Sequence, residues 1–129
     1  MPLNVLVVDD SSVARSMIIR VLELTGLPLG QVLQAANGQE GLDVLEGNWV
    51  DVVLVDINMP VMNGEEMICR LRSRDEWRDI PIIVVSTESS TTRIERLREH
   101  RVQFVHKPFT PEAISEVILQ TTGVTNGTK

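Results

Sequence analysis

A chain of 129 residues with 43% hydrophobic and 23% charged residues is one domain's worth of ordinary globular protein. It is long enough to bury ~65–70% of its extended surface. Its net charge of -6 argues against nucleic acid as a direct partner, and no stretch nears the ~20 apolar residues of a membrane span. The single cysteine, Cys69, excludes an internal disulfide and suits a reducing cytoplasm. The run Val5 to Val8 is too short for a signal peptide and is followed at once by two acids.

Leu3 to Val8 reads as a first strand. Ser11 and Ser12 then offer N-caps for a helix with Ala14, Met17, Ile18, Val21 and Leu22 on one face, ended by Gly26 and Pro28. Val32 to Ala36 is a weaker strand closed by the turn pair Asn37–Gly38, and a short helix carries Leu42 and Leu45. The four apolar residues Val52 to Val55 predict a strand buried on both faces, and it stops on Asp56. A Pro/Asn/Gly loop follows, then a helix with Met67, Ile68 and Leu71 inward. Ile80 to Val85 is the fourth strand. A fourth helix runs from about Thr91 to His100 and buries little beyond Ile94 and Leu97. Phe104 to His106 is a short fifth strand. Thr110 caps a last helix that starts at Pro111 and turns Ile114, Val117 and Ile118 inward. Five strands alternating with five helices predict an α/β fold, a doubly wound parallel sheet covered on both faces. Residues 1–122 form the domain, and the small polar stretch 123–129 reads as a flexible tail or the start of a linker.

In such sheets ligands bind beyond the carboxyl ends of the strands, where the winding direction reverses. Those ends carry Asp9 and Asp10, Asp56, Ser86, and Lys107–Pro108. Taken singly, each has an ordinary explanation: a turn-forming Asp, helix-start acids, a strand-end hydroxyl, a solvated lysine. Their joint placement on one rim is harder to explain that way. Three acids in contact distance repel, and a divalent cation resolves the repulsion; oxygen-only ligands select Mg²⁺ over zinc. One acid then remains free to act as a nucleophile toward phosphorus. Asp56 would accept the phosphoryl group, with Lys107 and the Ser86 hydroxyl contacting its oxygens.

These residues resemble the receiver domain of two-component response regulators, the CheY-like family. The resemblance rests on the acid pair after strand one, Val-Asp-Ile-Asn-Met-Pro with Asn63–Gly64 after strand three, the hydroxyl after strand four and Lys-Pro-Phe after strand five. It extends through about Thr122 and implies a flavodoxin-like sheet of strand order 2-1-3-4-5. It further implies that Asp56 is the phosphoacceptor and that Asp9, Asp10, Asp56 and the backbone carbonyl of Asn58 serve Mg²⁺, Asp10 more directly than Asp9. Ser86 and Phe104 would form the switch, Lys107 would touch phosphate, and the Lys107–Pro108 peptide would be cis. The donor would be a phosphohistidine on a sensor histidine kinase. The target would bind the face made by helix four, strand five and helix five, in a cytoplasmic protein that catalyses only its own phosphorylation and dephosphorylation.

Two side chains would border the path of hydrolytic water, Asn58 and Glu88, a polar combination similar to that of chemotaxis-type receivers and implying a short-lived signal. With no output domain in this sequence, a stand-alone chemotaxis-type regulator is expected; the alternative is a receiver from a longer regulator. The pattern departs from the family in having Phe104 where tyrosine is common. It also lacks the usual glycine in the charged segment Arg98 to Gln103. The arginines 93, 96, 98 and 101 are read as a solvated face or, alternatively, a docking patch for an acidic partner. Trp49, Cys69 and the methionines are read as packing or surface residues. A haloacid-dehalogenase-like phosphatase would need an acid at position 58, where this chain has asparagine. A flavodoxin-like nucleotide binder would need a phosphate loop after strand one, where this chain has two acids.

Overall fold

Five strands pair in parallel in the order β2-β1-β3-β4-β5 in the computed structural model, which describes residues 2–87 and 90–122. In chain order the elements are β1 (Leu3–Val8), α1 (Ser12–Leu24), β2 (Leu29–Ala35), α2 (Gly38–Gly47), β3 (Val52–Val55) and α3 (Gly64–Arg72). They continue with β4 (Ile82–Ser86), α4 (Thr91–Arg98), β5 (Gln103–His106) and α5 (Pro111–Thr122). The near-continuous apolar runs of β1, β3 and β4 are buried, apart from the half-buried Asn4 in β1, because both faces of the sheet are covered. One core holds Ile18 and Leu22 of α1 with Ile114 and Ile118 of α5 against the sheet. The other holds Leu42, Leu45, Met67, Ile68, Leu71 and Leu97 from α2, α3 and α4.

Local chemistry sets most helix starts. The Ser11, Asn37, Asn63 and Ser90 side chains each accept a backbone N–H three residues on, and Thr110 does the same for Ala113. Asn37 and Gly38 are therefore not a turn after β2, as the sequence suggested, but the cap and first residue of α2; Glu40 reaches back to the Ala36 N–H at 2.9 Å. Likewise Ser11 is the cap of α1, and Ser12 is its first residue.

Met17 is also corrected. It is 64% exposed, because the buried face of α1 is narrower than its apolar composition and comprises Ile18 and Leu22 with Ile19 and Val21 partly covered. β2 begins three residues earlier than expected, at Leu29, where it pairs with Leu3. α4 is the least anchored helix by apolar packing: Leu97 is its one fully buried residue and Ile94 is half-buried.

The absent glycine before β5 has a structural answer. Arg101 itself takes the left-handed conformation, φ 62°, at an ordinary cost of about 1–2 kcal/mol for a residue with a Cβ. Arg72 at the end of α3 holds that backbone in place. Its guanidinium donates to the carbonyls of Ile80 at 2.7 Å, His100 at 2.9 Å, Arg78 at 3.0 Å and Arg101 at 3.2 Å. A single half-buried cation thus ties the connections before β4 and before β5 together.

Candidate functional site

Sheet register brings the acids together. Val8 pairs with Val55, so the residues that follow them, Asp9 and Asp56, leave adjacent strands side by side. The Asp56 N–H donates to the Val8 carbonyl at 2.9 Å, and the Asp9 N–H to the Ala35 carbonyl at 3.1 Å. This is the point where the chain, having gone from β1 to β2, crosses back to β3. Carboxylate oxygens of Asp9, Asp10 and Asp56 all lie within 4.8 Å of one another. Asp9 is buried, Asp56 is half-buried and Asp10 is exposed.

The three acids are not equivalent. Both oxygens of Asp9 are engaged, one accepting the Ser11 N–H at 3.0 Å and the other the Lys107 ammonium at 2.9 Å. Asp56 accepts its neighbour Ile57's N–H at 2.7 Å through Oδ1, while Oδ2 stands 3.6 Å from Lys107. Lys107 therefore spans Asp9 and Asp56, its ammonium partly withdrawn from solvent. Its own N–H donates to the Ser86 carbonyl at 2.9 Å, which sets β5's end beside β4's. Ser86 is buried. The Lys107–Pro108 peptide is cis. Three converging carboxylates, with no nitrogen or sulfur ligand joining them among the described residues, suit a hard divalent ion such as Mg²⁺, with Asp10 and Asp56 the more available donors.

The loop after β3 is shaped by close contact. A Cβ on Gly64 would stand 2.2 Å from the Asp56 carbonyl oxygen and 2.9 Å from the Ile57 Cα, both backbone atoms that cannot swing aside. The Gly64 N–H donates to the Ile57 carbonyl at 2.8 Å, pulling the α3 start onto the end of β3. Gly64→Ala is expected to destabilise the fold by about 1–3 kcal/mol, the range for overpacking. Thermal denaturation tests this, and an unchanged Tm would show the loop to be slack. Val61 forms the tip of this loop at φ 67°, where the Met62 N–H turns back to the Pro60 carbonyl at 2.7 Å. That is a γ-turn on a β-branched residue, and Val61 is 82% exposed.

Two arginines of α4 reach toward this loop. Arg93 donates to the Asn58 side-chain oxygen at 3.3 Å. Arg96 makes two hydrogen bonds to the Glu65 carboxylate, at 2.5 and 2.9 Å. The fork of hydrogen bonds from Arg96 holds the Glu65 carboxyl below the usual carboxylate range. The link is therefore complete at neutral pH and is lost only as pH falls through that lowered value. Neither arginine is simply part of a solvated face, and the sequence carried no signal for either contact. Arg101 is engaged too, with Asp79 at 3.4 Å and the Arg78 carbonyl at 3.1 Å. A further contact absent from the sequence reading is Arg15, whose guanidinium donates to the Asp9 carbonyl at 2.6 Å.

Phe104 lies on β5 paired with Val84, half-buried, its ring tilted 57° against His106 at 4.7 Å. It borders the core under α4. Cys69 is exposed on α3 beside His100, at 3.6 Å, and desolvation raises its thiol pKa. Glu88 lies outside the described residues, as does the tail 123–129. Among the described residues no helix is long and apolar enough to cross a membrane.

Comparison with known proteins agrees with this geometry. The model of the family described as "Response regulator receiver domain" matches residues 5–119. A chemotaxis protein CheY homolog of Campylobacter jejuni is 38% identical over 127 residues, covering 97% of this chain and 96% of its own. Chemotaxis protein CheY1 of Helicobacter pylori is 36% identical over 116 residues, covering 88% and 92%. Among solved structures, chemotaxis protein CheY4 of Vibrio cholerae superposes with a TM-score of 0.83 at 30% identity, covering 94% of this chain and 99% of its own. The chain belongs to the response regulator receiver family and is a CheY-like receiver domain of two-component signalling.

Proposed function

We propose that this protein is a phosphorylation switch in which Asp56 takes a phosphoryl group from a histidine kinase in the presence of Mg²⁺. The observation that carries the proposal is Lys107 lying between Asp9 and Asp56 inside a cluster of three carboxylates. A carboxylate oxygen of Asp56 attacks phosphorus, the phosphorus–nitrogen bond of the donor breaks, and the imidazole departs with that electron pair. Mg²⁺, when bound, would neutralise charge on the transferring group. Lys107 exchanges its contacts with the two acids for a phosphoryl oxygen, and the Ser86 hydroxyl turns toward another. The Asn58 backbone carbonyl would offer the ion a further oxygen donor. Hydrolysis returns inorganic phosphate and the free carboxylate, so the chain turns over only its own modification. Incubation with acetyl phosphate and Mg²⁺, read by intact mass, should show one added phosphoryl group. No adduct at any donor concentration would refute the proposal.

The output face is α4, β5 and α5. As Ser86 moves toward phosphate, the Phe104 ring turns into the space behind it, and α4 shifts with it. A helix with one fully buried residue resists such a shift weakly through packing; the Arg93–Asn58 and Arg96–Glu65 contacts are what must rearrange. The protein target binds this face. The reading as a cytoplasmic chemotaxis-type regulator is supported by relatives matched over nearly their whole length. Residues 1–122 would be the receiver and 123–129 a tail or linker.

Signal lifetime is set by water attacking phosphorus opposite the Asp56 oxygen, past Asn58. Asn58→Met should slow loss of phosphate roughly tenfold, about 1.4 kcal/mol of barrier. Arg93→Ala should act the other way, by severalfold, because it frees the amide oxygen that Arg93 now occupies. Decay of the phosphorylated species after donor removal measures both. Identical decay in the two variants and wild type would mean that Asn58 does not gate the water.

A further inference from the structure

We propose that a groove at the amino end of the sheet, between Trp49 and Trp77, is a docking site for an arginine-bearing basic segment of a partner protein. The groove lies before β3 and before β4, at the opposite end of the strands from Asp56, and its occupation is independent of the function proposed above. A cavity of about 450 Å³ has Leu45, Val50 and Ile80 among its lining and both tryptophans as walls. A second cavity of about 270 Å³ adjoins it across Trp49. These are the only two tryptophans of the chain. Trp77 is buried, whereas Trp49 is 77% exposed.

The chain itself shows how this groove holds a guanidinium. Arg74 stacks 4.0 Å above the Trp77 ring and donates to the carboxylates of Glu46 and Glu76, one on each side. Trp49 offers the same components. Its indole N–H donates to Asp51 at 3.0 Å, which sets the ring's orientation while its face stays open to solvent. Asp51, Asp75, Glu76 and Asp79 line the adjoining cavity. Together the two cavities are lined by five carboxylates and one arginine. The cations nearest Asp75 and Asp79 are Arg78 at 3.8 Å and Arg101 at 3.4 Å, pairs whose carboxylates are 96% and 82% exposed. Such solvated pairs hold weakly and exchange readily. An open indole face beside two weakly paired carboxylates, Asp75 and Asp79, is complementary to a guanidinium, which stacks and forks at once. A second copy of this chain, net charge -6, fits it poorly.

The test uses a short blocked peptide carrying two arginines among glycines and serines, with its citrulline counterpart as the uncharged control. Because both indoles wall one groove, tryptophan fluorescence reports binding directly, and amide chemical shifts locate it. The arginine peptide should bind saturably, weaken with salt, and shift the amides of Trp49, Asp51, Asp75 and Asp79. Trp49→Ala, which removes an exposed side chain, should weaken it roughly two- to fivefold, the size of a cation–π contact at an exposed site, and leave phosphoryl uptake unchanged. Asp75→Asn with Asp79→Asn should weaken it while the fluorescence of Trp77 confirms folding. Equal binding of the citrulline peptide, unchanged affinity in Trp49→Ala, or shifts centred on Asp9, Asp10 and Asp56 would each overturn the proposal. So would a concentration-dependent dimer in sedimentation that Trp49→Ala abolishes, since the occupant would then be a second copy.

Discussion

Asp56→Asn is expected to cut phosphoryl uptake by roughly a thousandfold or more, since it removes the nucleophile itself. The variant is a sharp test because the rest of the site should survive it. Asp56 is partly exposed, and the one hydrogen bond its Oδ1 accepts, from the Ile57 N–H at 2.7 Å, can be kept by an amide oxygen. Lys107 retains its closer partner, Asp9, at 2.9 Å. Loss of one charge from a three-acid cluster should leave Tm unchanged or higher, so lost uptake cannot be ascribed to unfolding. Intact mass after incubation with acetyl phosphate and Mg²⁺ measures the effect. Slow labelling of a neighbouring oxygen such as Asp10 is compatible with the assignment; uptake at the wild-type rate is not.

The second large effect is expected at Asp10. Its carboxylate is exposed and lies within 4.8 Å of two others, one of which, Asp9, is already engaged by Ser11 and Lys107. Like charges at that spacing repel by about 0.9 kcal/mol even at the dielectric of water. Asp10→Asn should therefore raise Tm without Mg²⁺ by roughly 2–4 °C. The same substitution removes an available metal donor. Binding to the folded state alone adds about 2.7 kcal/mol at a hundred times Kd, and the variant should lose most of that gain. Thermal melts with and without Mg²⁺ give both numbers. A wild-type response to Mg²⁺ in Asp10→Asn would remove this residue from the metal site.

The alternation of strands and helices and the rim were legible in the chain because their signals are local, whereas the strand order was only what the family resemblance implied. An apolar run ending on an acid is visible in the five residues Val52 to Asp56, and parallel strands oblige such ends to share an edge. The acid trio and Lys107 follow from that rule without any knowledge of side-chain geometry. Boundaries were read less well. Asn37–Gly38 has the composition of a turn, and it is the reciprocal hydrogen bonds of Asn37 and Glu40 that show it starts a helix. Met17 has the right spacing for a buried face, yet the face α1 presents to the sheet is too narrow to cover it.

Tertiary structure alone decided which long side chains meet. Arg93 and Asn58 are 35 residues apart, Arg96 and Glu65 are 31 apart, and Arg72 gathers carbonyls from two separate connections. An arginine has several rotatable bonds and no positional signature, so a run of arginines looks the same whether it is solvated or clasped. The same holds for Arg101, whose left-handed backbone is tolerable only because Arg72 holds the adjoining carbonyls. By itself, then, the sequence determined the sheet and the acidic rim, through periodicity and the geometry of parallel strands. The fastening of α4 and the tryptophan groove came only from folding, because each joins side chains from segments far apart in the chain.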